Sequence, residues 1–236
     1  QDYIPIASTT NFSTSVVAEI ETTNEVVSFT DISENIIFYS TQFDNGYWAK
    51  TRTTVSADST TAPDGNTTAD TIIESTATGA HNIYRNFSPS LSGTEYTLSV
   101  FAKYNGDRHL QLVFGFNDTT GNVFANFDLD NGTIGNKSTE DPNATIEAVG
   151  NDWYRCAITG NSLVTSSFAQ VVALCEDPAT DGRDPSYTGD GSGSIFAWGT
   201  QLEPASNMTG FLLTTSAALE GLTGVTRGAN GTTAQS

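Results

Sequence analysis

The chain has 236 residues, of which 27 are Asp or Glu and 9 are Lys or Arg, for a formal charge of −18. So acidic a surface lacks the cations that displace counterions from a phosphate backbone, which excludes nucleic-acid binding, and an anionic membrane repels it. Aromatic residues, at 10 %, are too frequent for a disordered chain, and no run of about 18 apolar residues is present to form a membrane-spanning helix.

Thr, Ser, Asn and Gly stand where other chains carry charged and apolar residues, and such residues favour strands and tight turns over helices. Residues 1–34 hold β-like runs, as in "VVAEIETTNEVVSFTDI", with few turn signals between them. They read as an N-terminal arm, an attachment segment. The chain begins at Gln1 rather than Met, which leaves a processed start and a longer parent chain both open.

From Asn35 the pattern sharpens. "NIIFYSTQF" is expected as a strand that ends at the turn "DNGYW", and "TRTTVSAD" alternates beyond it. "TAPDGNTTAD" carries a Pro-Asp-Gly turn. "HNIYRNFSPS" puts Ile83 and Phe87 on one face; "YTLSVFAKY" does the same with Tyr96, Leu98, Val100 and Ala102, and "HLQLVFGF" with Leu110, Leu112, Phe114 and Phe116. "NVFANFDLDNGTIG" is two runs joined by Asp-Asn-Gly, a hairpin signal. "WYRCAITG", "FAQVVALCED" and "SIFAWGTQLE" complete the set. In the last, alternation puts Ile195, Ala197 and Gly199 on one side and Phe196, Trp198 and Leu202 on the other.

Nine or ten short strands at this spacing, with no sustained helical period, predict an all-β fold: a two-sheet antiparallel β-sandwich, or jelly roll, with extended terminal arms. The expected boundaries are an arm over 1–34, the sandwich over 35–211 and a small, polar C-terminal tail over 212–236. Several strands are apolar on both faces, so a loop, an arm or a neighbouring subunit must cover the second face. Cys156 and Cys175 form no Cys-x-x-Cys pair; a disulfide between neighbouring strands and two buried thiols are both open. Nine Asn-x-Ser/Thr sequons, the first at Asn11, are what so Asn- and Thr-rich a chain produces by chance.

Several pieces recur in a familiar order. They are Ser40, Gln42, Phe43 and Asp44 before Trp48; Ala62-Pro63-Asp64-Gly65 before Ala69-Asp70; Tyr96-Thr97-x-Ser99-Val100-x-Ala102-Lys103; and Asn126-Phe127-Asp128-Leu129 before Gly132-Thr133. The closing pieces are Gly150-x-x-Trp153-Tyr154-Arg155-Cys156 and Trp198-Gly199-x-Gln201-Leu202-Glu203. Over about residues 35–215 the chain resembles the carbohydrate-binding-module-like jelly-roll domains of tailed-bacteriophage virion proteins. The resemblance implies a place in the virion, as capsid decoration, tail fibre or spike, with other virion proteins as partners and a homo-oligomeric state. Host cell-surface glycans are the further partner, since some relatives bind sugar. Residues 1–34 fall outside the match.

Within that frame Trp48, Trp153 and Trp198 are expected as packing residues, because a thin sandwich draws much of its core from large rings. Tyr47, Tyr84, Tyr104 and Tyr187, in or near turns or on outer faces, are the candidate ligand contacts. Modules of this type carry a structural calcium ion, and Asp64, Asp70 and Glu203 are its candidate ligands. The acid-rich stretch "EDPATDGRDPSYTGDGSG" departs from EF-hand spacing and reads as a solvated loop. His81 and His109 stand in different strands, and no nucleophile elbow, P-loop or dinucleotide fingerprint occurs. A structural virion protein is therefore the leading expectation, a host-polysaccharide-binding module the second, and a polysaccharide-degrading enzyme the third.

Overall fold

The computed structural model describes residues 4–6, 17–20, 25–28, 31–87, 94–116, 123–139, 143–162, 168–216 and 219–223. Among these residues there is no helix. In chain order the strands are β1 (Ile4–Ile6), β2 (Val17–Ile20), β3 (Glu25–Ser28), β4 (Asp31–Asn35), β5 (Ala49–Thr51), β6 (Thr53–Thr61) and β7 (Thr67–Glu74). They continue with β8 (Thr78–Gly79), β9 (Asn82–Phe87), β10 (Thr94–Tyr104), β11 (His109–Phe116), β12 (Phe124–Asp128) and β13 (Thr133–Lys137). The last are β14 (Thr145–Gly150), β15 (Trp153–Ser162), β16 (Phe168–Cys175), β17 (Tyr187–Thr188), β18 (Ser194–Glu203) and β19 (Leu219–Thr223).

Two six-stranded antiparallel sheets make the sandwich. The first has the order β14-β15-β10-β18-β7-β6 and the second β13-β12-β11-β16-β9-β5. Alternation explains the core: Leu98 and Val100 of β10, Ile158 of β15 and Ile195 of β18 meet Leu110, Leu112 and Phe114 of β11, Phe127 of β12 and Leu174 of β16, all essentially inaccessible to water. The Asp-Asn-Gly hairpin forms as expected between β12 and β13. Asp128 takes the Asp130 and Asn131 amides, and Gly132 provides the left-handed conformation (φ 67°) that closes the turn.

Residues 36–43 are not the expected strand. Asn35 ends β4, and its side chain bonds to both sides of the crossing: Nδ2 donates to the carbonyls of Thr200 (3.1 Å) and Leu212 (2.9 Å), and Oδ1 accepts from the Leu202 and Ile37 amides. The chain then turns, with Tyr39 at φ 52°, and drops Ile37 and Phe43 into the core from a loop. The apolar alternation is real, but a side chain that consumes backbone partners breaks the ladder. Strands β5, β7, β8, β14, β17 and β19 lie outside the expected set. β7 hides behind its Thr-rich start, and β14 is an exposed edge strand whose weak pattern has no buried face to record.

In β18 the alternation is broken. Phe101 opposes Trp198 and Ser99 opposes Gln201, so Gly199 and Thr200 together face Val100. This bulge, with Gly199 at φ 59°, reverses the parity beyond it. Leu202 consequently joins Ile195 and Ala197 in the core rather than Trp198 on the outside.

Packing against the sandwich continues past residue 211. Leu212 and Thr214 are buried, and Thr214 and Thr215 bond to Ile37, Ser40 and Tyr39. Strand β19 then pairs with β4, as Leu222 with Ile32, and with β1, as Leu222 with Ile4. The N-terminal arm and the start of the expected tail thus form one three-stranded sheet, and β2 pairs with β3. The tail from Gly224 onward lies outside the described residues.

Candidate functional site

The tryptophans are packing residues. Trp48 (3 % exposed) belongs to the inter-sheet core, while Trp153 (2 %) and Trp198 (7 %) form a second cluster with Phe101, Ala62 and Ala69 on the outer face of the first sheet. Phe211 covers that cluster, its ring 4.9 Å from Trp198. Each indole N–H is satisfied: Trp48 by the Tyr39 carbonyl, Trp153 by the Thr61 carbonyl and Trp198 by Thr68 Oγ1, all at 3.2 Å. This outer apolar cluster is therefore covered by the chain's own Phe211.

The segment 204–214 lies over a buried polar layer. Glu203 accepts from Gln201 Nε2 (3.0 Å), from the Thr209 amide (3.1 Å) and from the Thr209 hydroxyl. Arg155 donates to the Thr209 carbonyl and to Ser99 Oγ. Burial pulls the Arg155 pKa down to about 10 against the opposing charges of Glu203 and Glu147, and burial raises that of Glu203. Beside this layer Thr94, Glu95, Pro204, Ala205, Ser206, Asn207 and Thr209 line a groove of about 490 Å³. Its walls are hydroxyl, amide and small apolar groups, with the Glu95 carboxylate among them. Its backbone is fixed from below, since Thr97 Oγ1 donates to the Ala205 carbonyl at 2.8 Å.

The four tyrosines have different neighbours. Arg85 stands over the Tyr47 ring at 4.3 Å, and Tyr84 packs on Val113 and Ala173 on the outer face of the second sheet. Tyr104 stacks on His109 with centroids 5.0 Å apart. Tyr187 lies against His81 (4.6 Å) and beneath Arg108 (5.2 Å), and burial followed by the nearby Glu74 charge pushes its hydroxyl pKa well up.

The calcium candidates do not fit a common ion. Ala197 is in register with Asp70, and six further residues of β18, one of them taken up by the bulge, lead to Glu203, so the Cα atoms of the two acids are roughly 15–20 Å apart at the usual rise per strand residue. Asp70 gives its oxygens to the Phe43 (2.8 Å) and Asp58 (3.0 Å) amides, and Glu203 is bonded as above. Asp64 is exposed and holds Asn66 within its own turn. Among the described residues no three His, Cys, Asp or Glu side chains form a metal-binding group.

The acid-rich stretch is anchored rather than merely solvated. Gln111 and Asn126, paired across β11 and β12 and fully buried, bond to it: Gln111 Nε2 to the Gly182 carbonyl (2.9 Å), Gln111 Oε1 to the Asp184 amide (2.7 Å) and Asn126 Nδ2 to the Asp181 carbonyl (2.7 Å). Its acids form turns. Asp181 accepts the Glu176 and Asp177 amides, and Asp190 accepts those of Ser192 and Gly193, which hold its pKa well below the usual range.

At the end of this loop stands a charge pair that the sequence does not announce. Glu74, its side chain wholly buried, receives Arg108 Nε at 2.6 Å and Nη2 at 2.9 Å, and also the Asp190 amide. No local signal joins these residues, because the loop, the end of β7 and the connection between β10 and β11 meet only in the fold. Each histidine has one ring nitrogen engaged by the backbone: His81 Nε2 contacts the Ser75 carbonyl, and His109 Nδ1 accepts the Leu129 amide. Cys156 and Cys175 are free, buried and in different sheets, and burial raises both thiol pKa values.

No protein-family model matches the chain, and no curated protein does. Solved structures of similar fold include the enzymatically active domain of tailspike protein 4 of bacteriophage CBA120, at 14 % identity and TM-score 0.45 over 72 % of this chain and 21 % of that one. Another is the CBM22-1–GH10 module pair of Clostridium thermocellum xylanase 10B in complex with xylohexaose, at 15 % identity and TM-score 0.41 over 76 % of this chain and 29 % of that one. A third is TmCBM27, a carbohydrate-binding module studied for mannan recognition, at 12 % identity and TM-score 0.33 over 75 % and 96 %. This chain spans less than a third of the first two, and all three likenesses are of fold alone.

Proposed function

We propose that this chain is a non-catalytic structural module of a virion, a capsid decoration or tail-fibre component, that is anchored by its paired end segments and projects its sandwich outward. One observation carries the reading. The chain enters the sandwich at Asn35 and leaves it beside the same residue, at Leu212, and β19 then pairs with β4 and β1. A single pole serves for attachment, and both sheets are free to project from it. The large rings and buried charges are occupied in packing, as a display scaffold requires. Mass photometry of the full chain tests the proposal. It expects a stable homo-oligomer, and a monomer that binds no virion component would contradict it.

A second reading rests on the groove at Pro204–Thr209. Its hydroxyls and amide, with the Glu95 carboxylate as a further acceptor, suit a neutral sugar of a host-surface polysaccharide, held by hydrogen bonds with its CH face on Pro204 and Ala205. A glycan array tests it. Binding that Asn207→Ala abolishes supports the groove; silence across bacterial glycans removes it.

A further inference from the structure

The carboxylates singled out for calcium fail to converge, yet another set of oxygens does converge, and a side chain already stands among them. Lys50 Nζ lies 3.2 Å from each of three backbone carbonyls, those of Asp44, Asn45 and Trp48. An ammonium has three donors and no acceptor, so three carbonyls saturate it. No carboxylate among the described residues lies within 4 Å of it, but the charges of Asp44 and Asp70 both act on it. Carbonyls drawn from one short turn repel each other when aimed at one point, and although that of Asn45 also accepts the Trp48 amide, a positive centre satisfies all three together.

We propose that Lys50 is a built-in cation: its ammonium fills an oxygen cage, formed by the carbonyls of Asp44, Asn45 and Trp48 beside the Asp44 and Asp70 carboxylates, that would otherwise take a divalent metal ion. Carbonyl and carboxylate oxygens are the ligands of hard cations such as calcium. The cage is made from a turn rather than a strand, so it can contract from ammonium to metal distances. Asp44 is exposed and can swing inward, and it lines, with Asp58 and Asp70, an adjoining cavity of about 310 Å³ through which an ion can arrive. The ammonium fixes the turn that carries Tyr47 and Trp48, whose rings pack edge to face at 5.3 Å. At this turn the chain carries its own positive charge and has no need of a bound ion.

Metal analysis and thermal melting of the full chain test this. The wild type should contain no stoichiometric calcium, and its Tm should respond to neither chelator nor about 5 mM calcium chloride, a level above that at which weak extracellular sites fill. Lys50→Met and the milder Lys50→Gln should lower Tm by about 3–8 °C, and calcium, but not sodium chloride at equal ionic strength, should restore most of the loss. Stoichiometric calcium in the wild type or a chelator-induced fall in its Tm overturns the proposal. So does either variant melting like the wild type, or a loss that calcium leaves unrepaired. If the Met variant does not fold, the Gln variant and the wild-type measurements decide between the same outcomes.

Discussion

Phe101 and Trp198 face each other across β10 and β18, ring centroids 5.3 Å apart and planes at 65°, on the side of the sheet away from the main core. An open sheet face carrying such a pair would be a ready platform for a sugar. Here Phe211 meets both rings, at 5.5 Å from Phe101 and 4.9 Å from Trp198, and encloses the pair. The cluster is a second core. Trp198→Ala should therefore destabilise the chain by about 3–5 kcal/mol, the usual range for a buried ring removed from a core. Urea unfolding followed by circular dichroism checks this. A loss below about 1 kcal/mol, the range of surface substitutions, would mark the ring as a surface feature.

Gly199 makes the Phe101–Trp198 pairing possible. Its left-handed backbone forms the bulge, and a Cβ there would come within 2.8 Å of Phe101 Cδ2. Gly199→Ala should cost about 1–3 kcal/mol, from the backbone conformation and from displacement of that ring. Denaturant midpoints of the two proteins give the comparison.

The pair Glu74–Arg108 supplies a test of a different kind. Removing Arg108 leaves the buried Glu74 carboxylate without its cation, so Arg108→Met should cost about 3–5 kcal/mol, whereas Glu74→Gln leaves Arg108 paired with Asp107 and Glu176 and should cost less. The double variant should cost clearly less than the sum, because it leaves neither charge stranded. Additive losses in a double-mutant cycle would mean that the two groups act independently.

Local signals are legible in this chain and distant ones are not. Strict alternation in β10 and β11 announces the sandwich, and Asp128–Gly132 announces its hairpin, because both patterns lie within a few residues. Alternation assigns Leu202 to the wrong face because the parity change lies in two residues opposing one, a property of the pair of strands. The loop nature of residues 36–43 depends on Asn35 reaching Thr200 and Leu212, more than 160 positions away. The four tyrosines stand out for their turn or outer-face positions, but position along the chain does not reveal that Arg85 or His109 already occupies a ring. Glu74, Arg108 and Lys50 carry no motif; their roles arise from what the fold brings to them.

Acid should reveal Asp70. Burial raises its pKa to about 6 despite the Asp58 and Phe43 amides that favour the carboxylate, and the Asp44 charge adds to the rise. The folded chain therefore binds this proton more tightly than the unfolded chain does. The contribution of Asp70 to stability is fully present below about pH 4, the ordinary carboxylate range, and is lost as the pH rises through about 6. The Tm difference between wild type and Asp70→Asn, followed from pH 4 to 7, should shift against the wild type across that window. A flat difference would contradict the assignment.

Collisional quenching of tryptophan fluorescence by iodide asks whether the chain spends its large rings on its own packing. The chain has three tryptophans, and all three are enclosed. Enclosed indoles should give blue-shifted emission, weak quenching by iodide and no spectral change on addition of soluble polysaccharides. Red-shifted emission with strong iodide quenching would place an indole in open water and show that the rings are not spent on packing.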